Sequence, residues 1–184
     1  MGGWAQVQWT EAGQITARLG WEASDADAAA SPETYFARLR GAGRLHDAAF
    51  FLGQALPRFE AVTWAARAVR DLGTQVRLPE PDADALKAAL LWVQDPSETR
   101  RRAAWDAAAL AGGQAPERLT ALAVFFSGGS IAPVDCNPVP APKEAAGRFG
   151  AGAVVLAALR QGAGSNGLQA ALDAGVAMAS GGAN

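Results

Sequence analysis

Four prolines, Pro57, Pro79, Pro96 and Pro116, recur at intervals of about twenty residues, each near the front of an apolar-periodic segment. Proline fits the first turn of a helix, where its missing N–H is not needed, and is excluded from the interior. A chain punctuated in this way is cut into helices of moderate length joined by turns. Alanine-rich composition favours the same outcome, since half of the 184 residues are hydrophobic and alanine is the best helix former. The expected fold class is all-α, in about seven to eight helices. Proline spacing suits antiparallel hairpins stacked as in helical-repeat proteins, but the units show no self-similarity, so an irregular helical bundle is equally compatible.

Residues 1–30 form an expected N-terminal arm and residues 31–184 a single helical domain. In the arm, Ala5, Val7 and Trp9 alternate with Gln6 and Gln8, as in a short strand or extended segment, and a short helix is expected from Thr10 to Leu19. Ser24 to Ala30 reads as a linker. Ser31-Pro32-Glu33-Thr34 is a strong start signal, with serine as N-cap and proline at the first helical position. Further helices are expected over about 45–56, 57–70, 82–94, 96–111, 116–126, 143–161 and 166–180. Asp95-Pro96-Ser97-Glu98 reads as a capping box with aspartate at the N-cap. Between Gly128 and Pro142, four prolines predict an extended, polyproline-like crossing.

The remaining motifs exclude more chemistry than they offer. One cysteine, Cys136, cannot form an internal disulfide. Cys136 and the single histidine, His46, lack zinc-ligand spacing, so no metal or other cofactor is expected. A net charge of −2 argues against a nucleic-acid surface. No apolar run reaches the roughly 20 residues of a membrane-spanning helix, and no secretory signal is legible, so a cytoplasmic protein without membrane insertion is expected. Gly162 to Gly167 matches the letters of the dinucleotide fingerprint, but a helix rather than a strand precedes it, and a turn between helices is expected there. Gly128-Gly129-Ser130 resembles half of a nucleophile elbow, again without its strand.

Two features look outward. Arg100-Arg101-Arg102 fans over about 200° of a helix and reads as a solvated patch in which Arg102 pairs with Asp106, or else as a contact for an acidic protein or phosphate. Of six tryptophans, Trp64, Trp92 and Trp105 fall in helices and are expected in or beside the core, whereas Trp4, Trp9 and Trp21 lie in the arm. That arm docks either on its own body or on a partner, for which tryptophan is a favoured anchor.

Three segments together carry a family resemblance: Gln54 to Ala65, Trp92 to Arg101, and Phe125 to Pro133 followed by Pro138-Val139-Pro140. In this order they resemble a family of small, alanine-rich, uncharacterised bacterial proteins often encoded near type VI secretion genes, over roughly residues 30–180. The resemblance implies a non-enzymatic accessory or adaptor whose protein partners are secretion-apparatus components. It marks a working surface at Trp64 with Arg67, Trp92 with Arg100 and Arg101, and the loop of Ser127, Gly128, Gly129 and Ser130. Two alternatives stand beside it. One is a small serine hydrolase using Ser130 or Ser127 with His46; the other is an immunity-type protein that binds a toxin. Oligomeric state is not legible.

Overall fold

A computed structural model describes residues 3–160 and 164–182. Among the described residues ten helices run in the order α1 (Ala12–Leu19), α2 (Asp25–Ala28), α3 (Pro32–Gly41), α4 (Leu45–Ala55), α5 (Arg58–Leu72), α6 (Glu80–Gln94), α7 (Glu98–Leu110), α8 (Pro116–Phe125), α9 (Ala145–Arg160) and α10 (Gly164–Ala179). The fold is all-α, with no strand among the described residues. From residue 32 onward there are eight helices, and the first thirty residues add α1 and α2.

The start signals act locally as their chemistry requires. Ser31 Oγ accepts the Thr34 N–H at 3.2 Å with Pro32 in the first turn of α3. Pro57 and Pro79 sit at the N-caps of α5 and α6, and Pro116 at the start of α8. Two boundaries depart from expectation. The segment read as a linker contains α2, whose N-cap Ser24 accepts from Asp27 N–H, and which lacks the apolar periodicity that would have revealed it. In the Asp95–Glu98 motif, Ser97 rather than Asp95 is the N-cap of α7, accepting the Arg100 N–H. Asp95 is instead the C-cap of α6 and holds the Arg100 guanidinium at 2.9 Å.

Helix α9 is the centre of the fold and packs against α4, α5, α8 and α10. In a stacked repeat each unit meets only its sequence neighbours. Contacts of α9 with α4 and α5, far away in sequence, make this an irregular bundle. Small residues allow the approach. A Cβ on Gly147 would lie 2.4 Å from the Gly53 carbonyl oxygen and 2.5 Å from Gln54 Nε2, so α4 and α9 touch backbone to backbone. On α10, a Cβ on Gly175 would meet Leu52 at 2.5 Å and Trp64 Nε1 at 2.9 Å.

Trp64 is the largest fully buried side chain, 1% exposed, and its Nε1 donates to the Ala171 carbonyl at 2.7 Å. That bond satisfies the polar edge of a ring otherwise in apolar surroundings. Glu117, fully buried on α8, receives both guanidinium nitrogens of Arg160 at 2.8 and 2.9 Å, tying α8 to the end of α9.

The N-terminal residues dock on their own body. Trp4 is buried with its ring 5.1 Å from that of Phe36, and Gln6 N–H donates to Ala179 O at 2.9 Å. Trp9 and Trp21 are half-buried against the same core, and Trp9 Nε1 donates to Gln54 O at 3.2 Å. The expected extended crossing after α8 instead folds back on itself. Ser130 and Pro140 form an antiparallel bridge, with Ile131 N–H donating to Val139 O at 2.8 Å.

Candidate functional site

The loop after α8 cannot be helical, because Gly129 takes a left-handed φ of +62° and prolines follow. It carries many backbone carbonyls that no helix satisfies, and the first turn of α7 supplies their donors. Arg101 donates through Nη1 to Phe125 O and through Nη2 to Ser130 O at 2.8 Å. Arg102 donates to Ala132 O at 2.9 Å and to Ser130 O at 3.0 Å. One carboxylate holds both guanidinium groups: Glu98 takes Nε and Nη2 of Arg101 at 2.7 Å each, and Nε of Arg102 at 3.0 Å. The two arginines thereby become a clamp between α7 and the loop.

Charge-assisted hydrogen bonds of this kind are the strong ones. Their effect is visible on Glu98, whose carboxyl is held at about 2, well below its ordinary 4.5. The Arg101 hydrogen bonds are the main cause, with Arg102 adding to them against a smaller desolvation effect. Arg101 is 3% exposed and also lies over the Phe125 ring, 4.8 Å from its centroid. A Cβ on Gly129 would come within 3.0 Å of its guanidinium, so glycine is required there by closeness as well as by φ.

The arginine run is therefore not the solvated patch that its spacing suggests. Arg102 pairs with Glu98, not with Asp106, because the loop lies over the first turn of α7 and turns both side chains back toward it. Arg100, bound to Asp95, is the most exposed of the three and is itself half-buried.

Pinning the loop creates a cleft of about 360 Å³ lined by Arg58 and Phe59 from α5, Trp92 from α6, Pro96 to Glu98 and Arg101, and Ser127 to Gly129. Phe59 is 40% exposed and packs on Trp92 with ring centroids 5.6 Å apart, forming an aromatic lip. All three segments that carry the resemblance meet here, although they are separated by tens of residues in sequence. Of the residues marked for partner binding, Trp92, Arg101, Ser127, Gly128 and Gly129 line this cleft. Ser130 lies just behind it in the clamp.

Trp64 and Arg67 lie elsewhere, along a groove of about 570 Å³ between α5 and α10. Trp64 is buried beneath that groove and offers no side-chain surface, for its ring is occupied in joining α5 to α10. Trp105, expected in or beside the core, packs on Phe125 at 4.6 Å yet remains 45% exposed.

The serine–histidine constellation is not assembled. Ser127 Oγ donates to Val124 O at 2.7 Å, and Ser130 Oγ accepts the N–H groups of Ala132 and Val139 at 3.1 and 3.0 Å. His46 lines a different cleft, with Arg44, Asp47 and the end of α9. Among the described residues, no group of three or more His, Cys, Asp or Glu side chains could hold a metal ion. Cys136 is exposed. The turn expected at Gly162–Gly167 lies partly outside the described residues, and α10 begins at Gly164. No helix among the described residues is long and apolar enough to cross a membrane.

A family model, that of a family of unknown function designated DUF6931, matches residues 35–179. The chain belongs to DUF6931. No curated protein and no solved structure matches it. The match of this DUF6931 protein spans α4 to α10 complete, and so includes the clamp and every wall of the cleft, while α1 and α2 lie before it.

Two features of the site escape sequence reasoning. Phe59 reads as a core-facing residue of α5, because its spacing to Val62, Ala66 and Val69 is helical. Only the position of Trp92, which supports its ring from one side, shows that it stands at the rim. Arg58 carries no local signal at all. Glu98 reads in the sequence as a capping glutamate, with Arg102 paired to Asp106, although its place three and four residues before Arg101 and Arg102 is also the spacing of helical ion pairs.

Proposed function

We propose that this DUF6931 protein is a non-enzymatic interaction scaffold that takes a protein partner at the cleft between α5, the α6–α7 turn and the loop after α8. The observation that carries the reading is Phe59, 40% exposed on a buried Trp92, at the mouth of a cleft whose far wall is pinned by Arg101. Exposed aromatic rings beside fixed polar groups are the usual anchors of protein interfaces. Rigid walls also reduce the ordering cost of binding. A non-enzymatic role is favoured because the serine hydroxyls near the cleft are engaged with backbone groups and the histidine lines another cleft.

The resemblance to proteins encoded beside type VI secretion genes supplies the kind of partner. In this reading the protein is an accessory or adaptor that helps to assemble or load a contractile secretion apparatus.

The test is photo-crosslinking in native cells from a photoreactive phenylalanine analogue at Phe59, with a second probe at Leu110. Leu110 is exposed and lies twelve residues further along α7 than Glu98, roughly 18 Å at the helical rise. The expected result is a specific adduct with a secretion component from Phe59 and not from Leu110. Identical adducts from both positions, or none from Phe59, would count against the reading. A toxin as the specific adduct would make the protein an immunity factor instead.

A further inference from the structure

Next to the aromatic lip lies a second cleft, of about 490 Å³, and Arg58 lines both. Its other walls include Gln8, Trp9, Gln14, Arg18 and Gln54, and no aspartate or glutamate is among the lining residues. Its two cations are Arg18 and Arg58. Neither belongs to any of the ion pairs formed by the described residues, which engage Arg38, Arg40, Arg44, Arg70, Arg100, Arg101, Arg102 and Arg160. Arg18 lies over the Trp9 ring at 4.9 Å, and Arg58 makes one long hydrogen bond, 3.4 Å, to Ser127 O.

Two cations face this acid-free cleft, and the carboxylate that lines the adjoining one, Glu98, is already held by Arg101 and Arg102, which leaves a local excess of positive charge on a chain of net charge −2. Such an excess selects partners of opposite sign and speeds their encounter. The neighbouring cleft provides what a purely electrostatic site lacks, an aromatic surface for an apolar side chain.

We propose that the two clefts form one continuous docking surface for an acidic peptide segment. Carboxylates of the segment pair with Arg18 and Arg58, and an apolar residue beside them seats against the exposed Phe59 ring, which Trp92 supports from beneath. This inference rests on the scaffold reading above and gives the partner its chemistry. A nucleic-acid backbone would also be anionic, but two arginines fit a short peptide better than a phosphate track, which uses a long basic stripe.

The experiment uses the full chain and a fluorescently labelled peptide of glutamates and aspartates around one phenylalanine, read by anisotropy at low and high salt. Controls are the same peptide with lysines in place of the acids and a single-stranded oligonucleotide. The acidic peptide is expected to bind, and to weaken with salt as exposed charge pairs do. Arg58→Glu and Arg18→Glu should each weaken it about ten-fold or more, and Lys87→Glu, at an exposed site on α6, should not. Thermal melts of each variant establish that the fold is retained. No binding of the acidic peptide, equal binding of the lysine peptide, tighter binding of the oligonucleotide, or indifference to Arg18→Glu and Arg58→Glu would overturn the inference. The Phe59 crosslink separates the two claims. An adduct that survives Arg18→Glu and Arg58→Glu leaves the scaffold reading standing without acidic recognition. Loss of the adduct in the unmodified chain removes both.

Discussion

Around Gly147 distant parts of the chain are joined by closeness, and around Arg101 by charge. At the first place α4 and α9 meet with no side chain between their backbones, and Trp64 and Gly175 lock α5 to α10 a short way off. At the second, a loop with no regular structure of its own hangs on two guanidinium groups and one carboxylate. The first arrangement is buried, free of charge and tolerant of nothing larger. The second is polar and open at one side, with Glu98 itself well exposed. The difference separates what sets global stability from what shapes the surface where a partner would sit. The centre can be altered only by damaging the fold, whereas the clamp can be loosened while the fold remains.

That contrast makes graded predictions. Trp64→Ala removes the largest buried side chain and should lower global stability by about 3–5 kcal/mol in urea unfolding, the usual cost of emptying an aromatic site. Gly147→Ala places a methyl group against the Gly53 carbonyl and should cost about 1–3 kcal/mol, since the backbone of α4 has nowhere to retreat. Arg101→Ala leaves the Phe125 and Ser130 carbonyls without these donors and should cost about 1–2 kcal/mol globally. Its distinctive effect is local: hydrogen exchange at Ile131 and Val139 should rise, while exchange in α5 and α9 stays as it was. An Arg101→Ala loss as large as that of Trp64→Ala would erase the comparison.

The smallest effect is a pH dependence. Because the Glu98 carboxyl is held near 2 in the folded chain and titrates near 4.5 when unfolded, its contribution is complete above about pH 4.5. It is lost as pH falls from there toward 2, where the carboxylate is protonated and the clamp loses its negative charge. Solvent screening of so exposed a group keeps the contribution below about 1 kcal/mol. Glu98→Gln should therefore flatten a small part of the acid limb of the stability curve and leave the neutral range slightly lower. A variant with the same acid limb as the unmodified chain would show that Glu98 carries no such linkage.

The helices of the body were legible because their boundaries are chemical: serine and proline at the front, glycine or a proline-rich loop at the back. The start of α7 was misread because Asp95 and Ser97 both offer a capping oxygen, and the sequence does not say which is already used to end α6. Helix α2 went unseen because its four residues are too few to show a period. The choice of bundle over stack was not legible, since it depends on the contact of Gly147 with Gly53 across more than ninety residues. At the site, the resemblance segments pointed toward most of the cleft lining. The clamp stayed hidden because its acceptors are backbone carbonyls, which leave no trace in residue type. Trp64 was expected both in or beside the core and on the working surface, and its burial bears out the first: tryptophan serves cores and interfaces alike, and only burial separates the two.

The most direct test of the account is the yield of the Phe59 photo-crosslink in an Arg101→Ala background. If the clamp shapes the docking surface, the adduct falls strongly although the protein remains folded by thermal melt. An undiminished adduct from a folded Arg101→Ala chain would contradict the account, because the partner would then not depend on the wall that Arg101 holds.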